Sequence, residues 1–265
     1  MSDALAAVIL GLVQGLTEFL PVSSTAHLIL AARLFGLDPE RFGLSFDVAL
    51  HLGTALAVLL FFLPTWLGLA RDLLARRWRV PALVVLGTVP AAVAGVLLES
   101  AVERELRGPL PIAIGLVAGS LVFLLAERGA THSREGLRHF SLGDSLAMGC
   151  AQAVALLPGV SRSGITISAG LARGLARADA ARLSFLLATP VILGAGAKTL
   201  LDARKSADLT THLDVAALGF VVSFLSGLAT VAFLVRFLRT RSLAWFVPYR
   251  LLLAAVAVLL GAFGT

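Results

Sequence analysis

Five uncharged runs, at 52 to 70, 80 to 98, 109 to 126, 215 to 235 and 251 to 265, are each long enough to cross or nearly cross a bilayer, which takes about 20 apolar residues. A sixth, 183 to 201, is interrupted only by Lys198, and the last is extended back to Ala244, with Trp245 and Tyr249 at the interface and Arg250 as its one charge. A chain built this way has lipid for solvent. Backbone groups must then be satisfied inside the segment, so six membrane-spanning helices are expected. Composition agrees, because only 14% of the 265 residues are charged and mean hydropathy is +0.93. A soluble domain carries about a quarter charged residues.

Two stretches do not fit a simple span. Residues 4 to 35 are broken by Glu18, Pro21 and His27, and 142 to 176 by Pro158, Gly159, Arg162 and Gly164. Each reads as two short helices joined by a polar turn, a re-entrant hairpin that enters the membrane and returns. The order hairpin, three spans, hairpin, three spans is an internal repeat of two five-helix units, about 1 to 127 and about 142 to 265, in one membrane domain covering 1 to 265. Leu20-Pro21-Val22-Ser23 echoes Leu157-Pro158-Gly159-Val160-Ser161, and Leu44-Ser45-Phe46 echoes Leu183-Ser184-Phe185. Three spans is an odd number, so the second unit is inverted and the site is expected near the midplane.

The net charge of +6 is a topology signal, since basic residues concentrate on the cytoplasmic side. Loops 64 to 81, 127 to 141, 171 to 182 and 236 to 241 hold thirteen arginines, including Arg71, Arg134, Arg138, Arg177, Arg236 and Arg239. Loops 33 to 47, 99 to 108 and 202 to 214 hold six basic residues, among them Arg33, Arg41 and Arg107, alongside acids such as Glu40, Asp47, Glu105 and Asp208. The first set is therefore assigned to the cytoplasm, and both termini and the first hairpin to the outer side. Nucleic acid is excluded as a partner, because the arginines lie between apolar spans with no aromatic-interleaved patch. Cys150 is the only cysteine, which excludes a disulfide framework, and no signal peptide is expected.

The chemistry concentrates in the two turns. Ionisable side chains at membrane depth are expensive and mark function; here they are Glu18, His27 and Arg162. Structural pairing of Glu18 with Arg162 would explain those two alone, but hydroxyls crowd the same places: Ser23, Ser24 and Thr25 in one turn, Ser161, Ser163 and Thr166 in the other. Two half-helix N-termini with free N–H groups, joined by one arginine fork, make an anion cage. Gly159 and Gly164 are expected to let the backbone approach a ligand. Ser24 and His27, three apart, share a helical face, so the imidazole is placed to move a proton for the hydroxyl. Glu18 could orient His27, act as a base or hold a cation, with Gln14 one turn before it. His51 reads as interfacial, Asp144 as the surface start of the second hairpin, and Lys198 and Arg250 as side chains that snorkel to an interface.

Gln14-Gly-Leu-Thr-Glu18-Phe-Leu-Pro-Val-Ser-Ser-Thr-Ala-His27 and Pro158-Gly-Val-Ser-Arg-Ser-Gly-Ile-Thr166 together resemble the bacterial undecaprenyl-pyrophosphate phosphatase family. The resemblance implies removal of the terminal phosphate from a C55 lipid diphosphate, which recycles the carrier lipid of cell-wall synthesis and is linked to bacitracin resistance. It implies Glu18, Ser24, His27 and Arg162 as catalytic residues in the bacterial plasma membrane, in a pocket open to the outer face. Gln14, Ser23, Thr25, Ser161, Ser163, Gly164 and Thr166 then bind substrate. It also implies a divalent cation, Mg²⁺ or Ca²⁺. Because Gln14 stands where the family accepts Glu or Gln, the turn has one carboxylate, and the expected cation bridges Glu18 and the substrate phosphates. Whether Ser24 or His27 is the nucleophile is open, as is a homodimer. Competing readings are an inverted-repeat transporter or lipid flippase, and a phosphatase of broader lipid-phosphate specificity.

Overall fold

The computed structural model describes residues 1–38, 42–129, 134, 136, 139–205 and 213–263. Glu40, Arg41, Arg138 and Asp208, counted above in the loop charges, lie outside the described residues. Among those described the architecture is all-helical, in the order α1 (Asp3–Phe19), α2 (Ser24–Leu34), α3 (Leu44–Phe61), α4 (Leu63–Leu74), α5 (Arg79–Glu105), α6 (Pro109–Gly129), α7 (Leu142–Val154), α8 (Arg162–Ala172), α9 (Arg177–Lys205), α10 (Leu213–Phe237) and, after a short 3-10 turn, α11 (Val247–Phe263).

Five described helical segments are long and apolar enough to cross a membrane: Arg79–Leu98, Pro109–Gly129, Arg177–Lys198, Leu213–Phe237 and Leu243–Ala262. A sixth is obtained by joining α3 and α4, which differ in direction by 70°. The expected span 52 to 70 is therefore not one straight helix. Pro64 in the first turn of α4 has no N–H to continue the α3 ladder, and its ring clashes with the preceding turn, so α3 stops at Phe61 and α4 leaves at an angle. Each polar stretch is two helices with a turn between them, α1/α2 and α7/α8. α2 and α8 are 11 residues each, about 16 Å at roughly 1.5 Å per residue and so about half the hydrocarbon thickness.

Packing runs across the chain. α1 lies against α10 and α3, while α7 lies against α5 and α8, and α6 sits between α8 and α11. Small residues set these distances: a Cβ on Gly15 would fall 2.7 Å from the Ser223 carbonyl oxygen of α10, and one on Gly115 would fall 2.1 Å from the Pro158 carbonyl oxygen. The largest apolar cluster is built around Phe19, Phe62, Phe123, Phe185 and Val231, drawing on α1, α3/α4, α6, α9 and α10, so it holds the two turns in register from below.

Two buried charges depart from expectation. Arg250 does not snorkel: it is fully buried, with its guanidinium over the Phe123 ring. It donates to Ser120 Oγ at 2.9 Å and to the carbonyl oxygens of Pro21 at 3.0 Å, Leu116 at 3.0 Å, Gly159 at 2.9 Å and Val160 at 3.2 Å. The Pro21, Gly159 and Val160 carbonyls are ones that broken helices leave over, so one cation held on α6 through Ser120 and Leu116 satisfies both turns at once. Asp144 begins α7 as expected but is buried rather than at the surface. It closes a capping box with Ser141 and pairs with Arg134 and with Arg173 at 3.0 Å.

Candidate active site

Ser23 and Ser161 precede α2 and α8 in the same unusual conformation, with φ of 74° and 75°. Positive φ costs a non-glycine residue about 1 kcal/mol or more. Each serine offsets this by capping its helix: Ser23 Oγ accepts from the Ala26 N–H and Ser161 Oγ from the Gly164 N–H, both at 3.4 Å. The turns thus enter their helices alike and aim Ser24 and Arg162, the first helical residues, at a common point.

That point is Glu18, near the end of α1. Its carboxylate is buried and accepts from Ser24 Oγ at 2.6 Å, from Gln14 Nε2 at 3.0 Å and, on its other oxygen, from Arg162 Nη2. His51 Nε2 lies 3.7 Å away. The four partners come from α1, α2, α3 and α8, and Arg162 is 144 positions from Glu18 in sequence. Beside them is a cavity of about 150 Å³ lined by Glu18, Ser23, Ser24, Thr25, His51, Ser161 and Arg162, with Leu157, Pro158 and Ile192 as apolar wall. The second guanidinium nitrogen of Arg162, Nη1, is buried and has no hydrogen-bond partner among the described residues, and neither has Gln14 Oε1.

Several expectations need correction. Ser24 and His27 are not paired: the Ser24 hydroxyl donates to Glu18, and His27 is turned to α11, where its ring stacks on Tyr249 with centroids 5.6 Å apart. His27 Nδ1 is 2.7 Å from the Ser23 carbonyl and Nε2 is 2.6 Å from the Tyr249 hydroxyl. A carbonyl only accepts, so Nδ1 carries a proton and donates to Ser23, while Nε2 shares a hydrogen bond with the tyrosine hydroxyl. Gly159 and Gly164 do not face the cavity. A Cβ on Gly164 would sit 2.0 Å from the Phe123 ring and one on Gly159 would sit 2.2 Å from the Ile112 carbonyl oxygen, so both serve close packing on α6. Ser163 bonds the Leu20 carbonyl at 3.2 Å and lies 3.3 Å from Ser161 Oγ, tying one turn to the other. Thr166 is fully buried and, like Gln14 and Ser163, is not part of the cavity wall. His51, read as an interfacial residue, lines this cavity beside Glu18; its signal in sequence was an ionisable side chain within an apolar helix.

Fold and site define a multi-pass helical membrane protein in which two broken helices bring a carboxylate, a hydroxyl and an arginine to one buried cavity. The profile of the family described as bacitracin resistance protein BacA matches residues 7–256, and the chain belongs to that family. Among curated relatives, the undecaprenyl-diphosphatase of Rubrobacter xylanophilus is 43% identical over 98% of this chain and 99% of its own length. That of Pelotomaculum thermopropionicum is 44% identical over 97% and 96%, and that of Thermodesulfovibrio yellowstonii is 40% identical over 98% of each.

Proposed function

We propose that the chain is an undecaprenyl-diphosphate phosphatase, which hydrolyses the terminal phosphate of undecaprenyl diphosphate to give undecaprenyl phosphate and inorganic phosphate. Family membership and the names of the full-length relatives support the reaction. One observation supports its location: Arg162 presents a buried, unpartnered N–H edge beside a serine whose proton is already directed at a carboxylate.

In this reading the terminal phosphate enters the cavity and takes the free side of the Arg162 fork, which grips phosphate oxygens bidentately and offsets the charge of the transition state. Ser24 Oγ attacks phosphorus as Glu18 accepts its proton, and the P–O bond to undecaprenyl phosphate breaks. Water then releases phosphate from the serine. Glu18 replaces His27 as the acceptor of the Ser24 proton, and His27 with Tyr249 holds the tip of α2 against α11. Among the described residues no group of three or more His, Cys, Asp and Glu is disposed to bind a metal. Glu18, the one carboxylate in the cavity wall, would still suit a hard cation whose remaining ligands are phosphate oxygens and water. Mg²⁺ or Ca²⁺ held there would neutralise phosphate charge.

The paired positive-φ serine caps, and the matched contacts of α1 with α10 and α7 with α5, support reading the fold as an inverted repeat of two five-helix units with two re-entrant hairpins and six spans. The loop arginines support placing both termini and the cavity mouth on the outer side of the plasma membrane. Phosphate release from undecaprenyl diphosphate by purified protein tests the reaction. Ser24→Ala and Glu18→Gln are each expected to lower kcat by at least about 100-fold; release undiminished in Ser24→Ala removes serine as nucleophile.

A further inference from the structure

A second cavity, of about 880 Å³, lies at the C-terminal end of α3. His51 reaches the first cavity and Phe61 the second, and ten residues of one helix put them about 15 Å apart. The second cavity is the wedge left where α4 turns away from α3. Its floor is apolar, made by Phe61, Phe62, Leu186 and Val235, and its mouth carries Arg182, Arg236 and Arg239 with the hydroxyl residues Thr65 and Thr240. One carboxylate, Asp179, also lines it; that side chain accepts from the Gly136 N–H at 2.9 Å and meets Arg182 only at 3.5 Å. Arg236 and Arg239 are exposed and have no acidic partner among the described residues. Arg182 and Arg239 also line an adjoining cavity of about 420 Å³, so the basic mouth is continuous.

The level of this wedge follows from α4. That helix exposes Leu63, Leu67, Leu73 and Leu74, carries Arg71 in its last turn and is followed at once by Arg76, Arg77 and Trp78, the composition of a segment lying in the membrane interface. At that level the cavity beside it would open among lipid headgroups. Arg236 and Arg239, without an acidic partner among the described residues, hydroxyls beside them and an apolar floor suit an amphiphile with a phosphate at its head.

We infer that the wedge between α4, α9 and α10 is a binding site for the phosphate of a membrane lipid, with the first carbons of its chain against Phe61, Phe62, Leu186 and Val235. The inference concerns binding, does not depend on the reaction proposed above, and leaves the source of the phosphate, a glycerophospholipid or a prenyl monophosphate, to experiment. Native mass spectrometry of the purified full chain would count retained lipid after incubation with phosphatidylglycerol, phosphatidylcholine, farnesyl monophosphate or inorganic phosphate. The wild type is expected to retain one phosphatidylglycerol or one farnesyl monophosphate in preference to phosphatidylcholine, and R236Q/R239Q to bind it at least about tenfold more weakly. R236K/R239K should recover part of the affinity, and phosphatase activity in detergent should be unchanged. Preference for phosphatidylglycerol assigns a glycerophospholipid site; preference for farnesyl monophosphate assigns a second site for the prenyl phosphate. Equal retention by wild type and R236Q/R239Q, or capture of inorganic phosphate with neither lipid, overturns the inference.

Discussion

Arg250 shows how far one side chain can decide the shape of a membrane site. An arginine inside an apolar run reads in sequence as a residue that must escape, because the run itself shows no counter-charge. The partners are carbonyls, and every chain has those. Only the folded arrangement, with Pro21, Gly159 and Val160 each lacking a helical N–H, makes them acceptors for one guanidinium. Arg250→Met removes the donor and strands several buried carbonyls, and the expected loss of stability is about 3 kcal/mol or more. Arg250→Lys keeps the charge but cannot span the set, and should lie between. Thermal unfolding in detergent, followed by tryptophan fluorescence, checks the order; equal midpoints for all three would show that the clamp contributes nothing. Glu18 and Arg162 were legible beforehand for the opposite reason: a carboxylate and a cation in separate apolar hairpins have few other places to go. The partner of the Ser24 proton was not, since spacing along α2 says nothing of what α1 sets opposite it.

At the scale of elements, the hairpins are held at both ends. At the tip, Ser161 has φ of 75° and caps α8. Ser161→Gly relieves the backbone strain while losing the cap, so the net change is expected within about 1 kcal/mol; a β-branched Ser161→Val suffers both losses and should be destabilised by about 2 kcal/mol or more. At the base, burial would raise the Asp144 carboxyl, but hydrogen bonds from Arg134, Ser141 and Arg173 bring it down from 3.8 to about 2. A depressed carboxyl stabilises the fold above its unfolded value. For Asp144 that contribution is complete above pH 3.8 and disappears as pH falls through about 2; it amounts to roughly 2 kcal/mol. Asp144→Asn should therefore show a flatter unfolding midpoint between pH 4 and 2 than wild type; parallel profiles would mean the pair is not coupled to folding. The 70° break between α3 and α4 is instructive in the same way. Pro64 was visible in the run 52 to 70, but prolines are tolerated inside membrane helices when neighbours satisfy the freed groups, as Pro90 and Pro190 are here, so its consequence depended on what surrounded it.

The whole molecule was the most legible level, because lipid permits few solutions: a chain this apolar with two polar interruptions must build helices and place the interruptions where protein or water satisfies them. What hydropathy could not give was the cross-chain packing, which follows from small-residue contacts between distant segments, Gly15 of α1 on Ser223 of α10 and Gly149 of α7 on Gly87 of α5. Orientation is a separate matter, since the inverted-repeat reading proposed above puts similar hairpins on both faces and packing alone does not distinguish them. It rests on loop arginines, and two of those loops flank α6. In a Cys150→Ala background, Glu105→Cys lies at the end of α5 and Arg128→Cys in the last turn of α6, both exposed. If the arginine-rich loops are cytoplasmic, a membrane-impermeant maleimide added to intact cells labels Glu105→Cys and reaches Arg128→Cys only after permeabilisation. The reverse pattern would turn the protein over and open the Glu18 cavity to the cytoplasm. Labelling of both from one side would mean that α6 does not cross, and the six-span reading would fall with it.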